Sequence, residues 1–203
     1  MARMSADERR ELLVHAAIRV MTREGVAKAT TRAIATEADM PLGVFHYAFR
    51  SKQELMVMVT EAIARRSKTD IDAAVLTGRE SDLAAVVRAG LRAYFDHVVA
   101  HPEEHLVTYE LTTAALRDGE MGDVAARMYA YYLGENQKLL EAAAAALGVT
   151  FTEPVEVVSR YVFSTMDGLA LNYLAQGDED QARAVLDLVA RTLLASVRVE
   201  DVP

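Results

Sequence analysis

Hydrophobic residues recur at helical spacing along most of the chain, and capping residues mark where helices begin. Near the N-terminus the pattern predicts a helix from about Ala6 to Glu24. Ser5 with Glu8 three positions later forms a capping box that opens it. Gly25 ends it, because glycine is the residue most often found just past a helix C-terminus.

Two short helices separated by a tight turn follow. Thr30 is a natural N-cap for a helix that runs through Ala38. Asp39 tolerates the left-handed conformation that such turns often need, and Pro41 suits the start of a helix from Leu42 to about Ala48.

Longer helices fill the rest of the chain. Ser51 and Glu54 form a second capping box, which starts a fourth helix that reaches about Val75. Beyond it the spacing predicts further helices near 81–100, 102–118, 120–147, 154–176 and 178–198. We therefore predict an all-α protein of about nine helices.

Composition agrees with this prediction and excludes several classes of protein. The 203 residues are 52% hydrophobic and 26% charged, with 10 Gly, 4 Pro and no Cys, which fits a helical chain in a reducing, cytoplasmic setting. The absence of Cys excludes thiolate nucleophiles and iron–sulfur ligation. The longest stretch without a charged residue, 142–152, is too short to cross a bilayer, so we expect no membrane partner.

Charge is divided unevenly along the chain. Residues 1–60 hold nine Lys and Arg against seven Asp and Glu, a net charge of +2. Since the whole chain carries −8, residues 61–203 carry −10. An acidic body with a locally basic head can contact a polyanion with one end only.

Residues 30–49 have the layout of a helix-turn-helix, in which a supporting helix and a tight turn precede a helix able to lie in the major groove of DNA. Ile34, Ala35 and Ala38 should pack against Phe45 and Phe49. Phosphates could be bound by Tyr47 and His46, together with Lys52 at the start of the fourth helix. An ordinary helical hairpin with surface Tyr and His remains the alternative. The packing would leave these residues facing outward: Leu42, Gly43, Val44, His46 and Tyr47.

The same region resembles the head of the TetR-type transcriptional regulators. Matching positions are Thr30, Ile34, Ala35, Ala38, Gly43, Phe49, Ser51, Lys52 and Leu55. Departures from the family pattern are Asp39, Met40, Pro41 and His46. Motif and resemblance together give these expected DNA-binding residues: Thr30, Thr31, Arg32, Leu42, Gly43, Val44, His46, Tyr47 and Lys52.

The resemblance implies a helix-turn-helix DNA-binding domain at 1–52 and a helical-bundle ligand-binding and dimerisation domain at 53–203. In this family the last two helices pair with their copies in a second subunit, and residues 166–195 resemble them. Those helices carry abundant apolar surface, at Leu169, Leu171, Leu174, Val185, Leu186, Leu188, Val189, Leu193 and Leu194. The alternative is that they complete the core of a monomer.

A small-molecule pocket in the body is also implied. Aromatic and Met side chains give an adaptable lining, although at helical spacing they also fill ordinary cores. Acids such as Glu110 and Asp167 inside apolar helices are costly unless paired with a cation or a ligand, or exposed to solvent. The candidate lining residues are Tyr94, Phe95, Tyr109, Glu110, Thr113, Met128, Tyr132, Phe163, Met166 and Asp167.

Other functions have less support. His97, His101 and His105 repeat every four residues, but Pro102 interrupts the helical geometry of a metal site, and we predict no metal and no cofactor. No catalytic motif occurs, so a helical metal-dependent enzyme is a poor alternative. A helical adaptor and a co-repressor type regulator stay open. The leading prediction is a homodimeric repressor, not an enzyme, that binds double-stranded DNA at a pseudo-palindromic operator and is released by an unknown small-molecule effector.

Overall fold

Nine α-helices account for most of the residues that the computed structural model describes, which are 4–76, 83–119 and 121–199. The all-α prediction is confirmed. The helices are α1 Ala6–Glu24, α2 Thr31–Glu37, α3 Leu42–Ala48, α4 Lys52–Leu76, α5 Leu83–Ala100, α6 Pro102–Arg117, α7 Gly122–Leu147, α8 Val155–Gln176 and α9 Glu179–Ala195. A single turn of 3₁₀ helix, Val26–Lys28, lies between α1 and α2, and two strands, β1 Val149–Phe151 and β2 Val197–Val199, complete the fold.

The capping signals of α1 form as expected, whereas the predicted box of Ser51 and Glu54 forms only in part, because the Glu54 carboxylate accepts the Arg50 N–H. At the start of α1 the Glu8 N–H donates to Ser5 Oγ at 3.1 Å, and the Ser5 N–H donates to the Glu8 carboxylate at 2.6 Å. The Gly25 N–H closes the other end by donating to the Met21 carbonyl at 2.8 Å. These contacts satisfy some of the backbone groups that a helix leaves without partners at its ends.

One helix was predicted too long. The helix predicted at 178–198 ends at Ala195, and Val197–Val199 instead forms a strand that pairs antiparallel with Val149–Phe151. Both strands are rich in β-branched residues, which favour the extended conformation, but three residues are too few to show a period of two. The starts of the predicted helices at 81–100 and 120–147 lie outside the described residues.

The first of two compact units contains Met1–Arg65 and His101–Tyr129. In it α1 packs against α2, α3 and α6. Its buried side chains include Leu13, Val20, Ile34, Phe45, Leu55 and Leu111. Burial of each large apolar side chain contributes about 1.5–3 kcal/mol to folding, so this core fixes the short helices α2 and α3, which would not be stable alone.

The second unit contains Arg66–Ala100 and Ala130–Pro203. Helices α5, α8 and α9 pack around a core that includes Leu91, Phe95, Val162, Met166, Leu186 and Val189. The domain boundary that was expected between residues 52 and 53 stays a prediction. Across the described part of the chain, no helix combines the length and the apolar character needed to cross a membrane.

Candidate DNA-binding surface

The turn between α2 and α3 has the backbone conformation that its sequence favours. Thr30 caps α2, because its Oγ accepts the Ala33 N–H at 3.1 Å. Asp39 adopts φ of 53°, in the left-handed region that Asp tolerates better than most side chains. The Met40 N–H then donates to the Ala35 carbonyl at 2.9 Å and closes the turn. The supporting helix and the following helix are thereby held at a fixed angle.

Helix α3 has one buried face and one exposed face. Phe45 and Phe49 are buried with ring centroids 5.3 Å apart, as the spacing predicted. Tyr47 is 94% exposed, which is unusual for a large aromatic side chain. A Cβ built at Gly43 would meet nothing within 4 Å, so the backbone there is open to an approaching molecule. Exposed residues of this face are Leu42, Gly43, His46 and Tyr47, with Val44 partly buried.

The described cations of the head differ in their partners. Arg9 donates to the backbone carbonyls of Ser5 and Met4. Arg10, Arg19 and Arg23 form salt bridges with Glu54, Glu37 and Glu24 at 2.5 to 3.1 Å. Lys28, Arg32, Arg50 and Lys52 are exposed, and among the described residues none of these four forms a salt bridge. These four side chains lie in or beside the connections that precede α2 and α4. Apart from Arg9 on α1, the described cations of the head that form no salt bridge therefore lie at the helix-turn-helix.

Glu54 fixes the connection between α3 and α4. Its carboxylate accepts the Arg50 N–H at 2.7 Å and is also bonded by the Arg10 guanidinium, which lies 5.4 Å from the centre of the Phe49 ring. The Arg50 N–H, followed by the Arg10 guanidinium, holds the pKa of Glu54 below its ordinary value in spite of partial burial. These contacts brace α1 against the residues that carry the exposed cations.

Five of the nine predicted DNA-binding residues lie on α3, and the other four lie at the starts of α2 and α4. Arg32 is exposed at the start of α2, Lys52 is the first residue of α4, and Thr31 is partly buried. Sequence reasoning did not single out the exposed cations Lys28 and Arg50. Their positions next to the motif were visible, but that neither forms a salt bridge among the described residues depends on the fold.

Four of the pocket candidates lie in the first unit. Met128 is buried, Tyr109 is partly buried and Thr113 is exposed on α6, with its hydroxyl donating to the Tyr109 and Glu110 carbonyls. Glu110 is bonded through its carboxylate to the N–H of Val26 at 2.7 Å. Glu110 is also exposed, so the solvent-exposed alternative holds and the acid is not buried in an apolar helix.

The other six candidates lie in the second unit. Tyr132 and Phe163 stack with ring centroids 5.8 Å apart and an interplanar angle of 23°. Asp167 follows Phe163 by one helical turn on α8, so both side chains share a face of that helix. Phe95 and Met166 are members of the hydrophobic core, and Tyr94 packs against it.

The three histidines have different environments. His97 is buried on α5, and its Nδ1 lies 3.0 Å from Asp70 Oδ2. His101 precedes Pro102 at the start of α6, and His105 is buried on the same helix. No group of three or more His, Asp or Glu among the described residues is arranged to hold a metal ion.

Helices α8 and α9 expose large apolar side chains. Val157, Tyr161 and Leu171 on α8 are 41–55% exposed, and Leu188 on α9 is 54% exposed. Four of the leucines and valines expected at an interface, Leu169, Leu186, Val189 and Leu193, are instead buried in the core of this unit. The apolar surface that remains is consequently smaller than the sequence count implied, with three large side chains on α8 and one on α9.

Two family models match the chain. Residues 13–59 match "Bacterial regulatory proteins, tetR family", and residues 78–195 match "Tetracyclin repressor-like, C-terminal domain". The first covers the helix-turn-helix, and the second covers more than half of the chain.

Individual proteins give the same result. The chain is 31% identical over 185 residues to the HTH-type nicotine-responsive transcriptional repressor HdnoR of Paenarthrobacter nicotinovorans, covering 91% of this chain and 93% of that protein. The crystal structure of the multidrug binding protein EbrR complexed with imidazole is similar with a TM-score of 0.67 and 28% identity, covering 96% of this chain and 93% of that one. A TetR-family regulator from Rhodococcus sp. shares the fold, with a TM-score of 0.76, 18% identity, and 92% and 98% of the two chains covered.

Proposed function

Because the chain belongs to the TetR family of bacterial regulatory proteins, we propose that it is a repressor that binds a pseudo-palindromic operator as a homodimer and is released by a small-molecule effector. The observation that carries the DNA-binding part is the exposed face of α3, flanked by four cations that lack an acidic partner in the described structure. As a regulator of this family it is not an enzyme. We place its action in the cytoplasm, where a bacterial operator lies.

We assign sequence readout to α3 and phosphate binding to the residues around it. Leu42 and Val44 offer apolar contacts to base edges, and the open backbone at Gly43 permits close approach to the major groove. The phosphate-binding group extends the expected set of Thr30, Thr31, Arg32, His46, Tyr47 and Lys52 by Lys28 and Arg50. Hydroxyl, imidazole and cationic groups all suit phosphate oxygens, whereas the apolar side chains distinguish bases.

We propose that the exposed apolar face of α8 and α9 pairs with its copy in a second subunit. Apolar side chains on two neighbouring helices, including Tyr161 and Leu188, would be removed from water in a four-helix arrangement. A twofold dimer would present two copies of α3 to half-sites about one turn of DNA apart, which is why we expect a pseudo-palindromic operator.

We further propose that the effector is a small nitrogen-containing aromatic base. The stacked rings of Tyr132 and Phe163 offer flat apolar surface, and Asp167 one turn along α8 offers a negative charge. The similar proteins point in the same direction, since one is named for its response to nicotine and the other is complexed with imidazole. Tyr94 would add a further aromatic wall beside the core.

The first experiment is to incubate the purified protein with fragments of its source genome and to sequence what it retains at moderate salt. Enrichment of one or a few inverted repeats is the expected result. Uniform retention of all fragments, or retention of none, would instead favour the helical adaptor or a co-repressor that needs its ligand to bind.

The effector is then tested on the enriched fragment. We expect nicotine or imidazole, but not the anion benzoate, to release the fragment in a fluorescence anisotropy assay. Asp167→Asn should weaken the response to the base by about 10- to 100-fold, the range expected for a lost charge-assisted hydrogen bond. Glu156→Gln, which neutralises an exposed acid on the same helix, is the matched control and should leave the response unchanged. An equal response of both variants would contradict the proposed role of Asp167.

A further inference from the structure

The Glu110 carboxylate on α6 reaches the connection between α1 and α2, and neither DNA contact nor effector binding accounts for that contact. Its Oε2 accepts the N–H of Val26 at 2.7 Å, across 84 positions of sequence. Both residues belong to the same compact unit, in which α6 also packs against α1 and the 3₁₀ turn. A charge-assisted hydrogen bond of this length is among the stronger polar contacts in proteins.

The backbone at Gly25 explains why a partner from α6 is needed. Val26 is the first residue of the 3₁₀ turn, so its N–H has no acceptor within that turn. The preceding residue, Gly25, adopts φ of 84°, which favours glycine, and a glycine has no side chain to cap the turn. Val26 is buried whereas Glu110 is exposed, so the hydrogen bond between them is partly buried. Glu110 supplies the missing cap.

A short series of hydrogen bonds leads from this cap to α2. The Ala29 N–H donates to the Val26 carbonyl at 3.2 Å, and the Thr30 N–H donates to the Lys28 carbonyl at 2.8 Å. The Thr30 hydroxyl then caps α2. The segment fixed by Glu110 therefore contains Lys28 and ends at the N-cap of the helix that supports α3.

We propose that Glu110 is a positioning residue that couples α6 to the DNA-binding surface. With the carboxylate on the Val26 N–H, the 3₁₀ turn and the start of α2 are held in the arrangement that binds the operator. Without the carboxylate the Val26 N–H loses its acceptor, which favours a different placement of this segment. This inference rests on the proposed function, because it assigns the regulation of the same surface.

Three variants test the coupling on the operator fragment. Glu110→Ala removes both the charge and the acceptor, whereas Glu110→Gln removes the charge but keeps a carbonyl that can accept the Val26 N–H. Glu103→Ala removes an exposed acid of the same helix and is the matched control for charge. Loss of a negative charge by itself strengthens binding to DNA, so a weakening in Glu110→Ala has the opposite sign to the electrostatic effect.

We expect Glu110→Ala to bind the operator about tenfold more weakly than the unaltered protein, which is within the usual range of coupling between sites. Glu110→Gln and Glu103→Ala should bind as tightly as the unaltered protein or slightly more tightly. The salt dependence should not change, because no phosphate contact is lost. In amide hydrogen exchange, the Val26 N–H should lose its protection in Glu110→Ala alone.

Unaltered operator affinity in Glu110→Ala, together with loss of protection at Val26, would overturn the inference. So would an equal loss of affinity in Glu110→Ala and Glu110→Gln, because the amide keeps an acceptor for the Val26 N–H. Failure of the unaltered protein to bind any inverted repeat would instead contradict the proposed function, so the two failures are distinguishable.

Discussion

The division of the head cations into salt-bridged and unpartnered groups predicts which of them DNA binding uses. We take Lys52→Ala as the perturbation and Arg19→Ala as its control. Lys52 is exposed and forms no salt bridge in the described structure, whereas Arg19 bonds Glu37 at 2.7 Å. Each of the two substitutions removes one positive charge from the head. Only Lys52 is expected to neutralise a phosphate and so release the counterion that the DNA holds there.

The expected magnitude follows from counterion release. Each neutralised phosphate contributes about 0.9 to the slope of log affinity against log salt concentration, so a dimer with two heads loses about 1.8 in slope when Lys52 is removed. Over a fourfold range of salt, from about 50 to about 200 mM, the deficit of the variant relative to the unaltered protein should shrink by about 12-fold. Arg19→Ala should leave the slope unchanged, because Arg19 is already paired with Glu37. The protein should stay folded, since an exposed salt bridge contributes at most about 1 kcal/mol to stability.

The assay is a titration of the enriched operator fragment followed by fluorescence anisotropy at four or more salt concentrations. The same titration on an unrelated fragment should show an equal change of slope, because phosphate contacts are independent of sequence. Equal slopes for Lys52→Ala and Arg19→Ala would refute the reasoning, as would a slope unchanged from that of the unaltered protein.

Three further predictions concern specificity, assembly and acid stability. Val44→Ala should change which operator variants are preferred while keeping the slope of affinity against salt, and selection from a randomised operator library measures the preference. A uniform loss of affinity for all sequences would contradict the role of Val44 in base readout. Leu188→Glu should give monomers in analytical ultracentrifugation, whereas Leu116→Glu, at a side chain 71% exposed on α6, should not, and an intact dimer in both would exclude the proposed interface. The Arg50 N–H lowers the pKa of Glu54 in the folded state. Glu54→Gln should therefore be less stable than the unaltered protein above the ordinary carboxyl pKa of 4.5, and this difference should disappear as pH falls through the lowered pKa. Urea unfolding at several pH values measures this, and a loss that does not depend on pH would refute it.

The helical layout was predictable from sequence because its signals are local. Ser5, Thr30 and Gly25 act within a few residues of their partners, and all three behave as their positions implied. The same is true of Asp39, whose left-handed conformation is a property of the turn itself. The roles of these four residues, which depend on neighbours within one helical turn, were therefore predicted correctly.

Long-range pairing was not predictable in the same way. The strand Val197–Val199 needs Val149–Phe151 as its partner, and neither segment is long enough to show a strand pattern. Glu110 was noticed as an unusual acid, but its acceptor role depends on an N–H that the fold brings to it from position 26. Arg50 has Glu54 four residues away, which in sequence is a natural ion-pair spacing, yet that carboxylate binds the Arg50 backbone and the Arg10 side chain.

The charge distribution connects these observations. Residues 61–203 carry a net charge of −10 and are repelled by DNA. In the head, three arginines are neutralised by the acids Glu24, Glu37 and Glu54. Because screening limits such interactions to about 8 Å at physiological salt, the favourable contacts must come from the few exposed cations held close to the phosphates. Affinity that depends on few contacts is sensitive to where those contacts are placed. A single hydrogen bond that positions the start of α2 can then change operator affinity without touching the DNA.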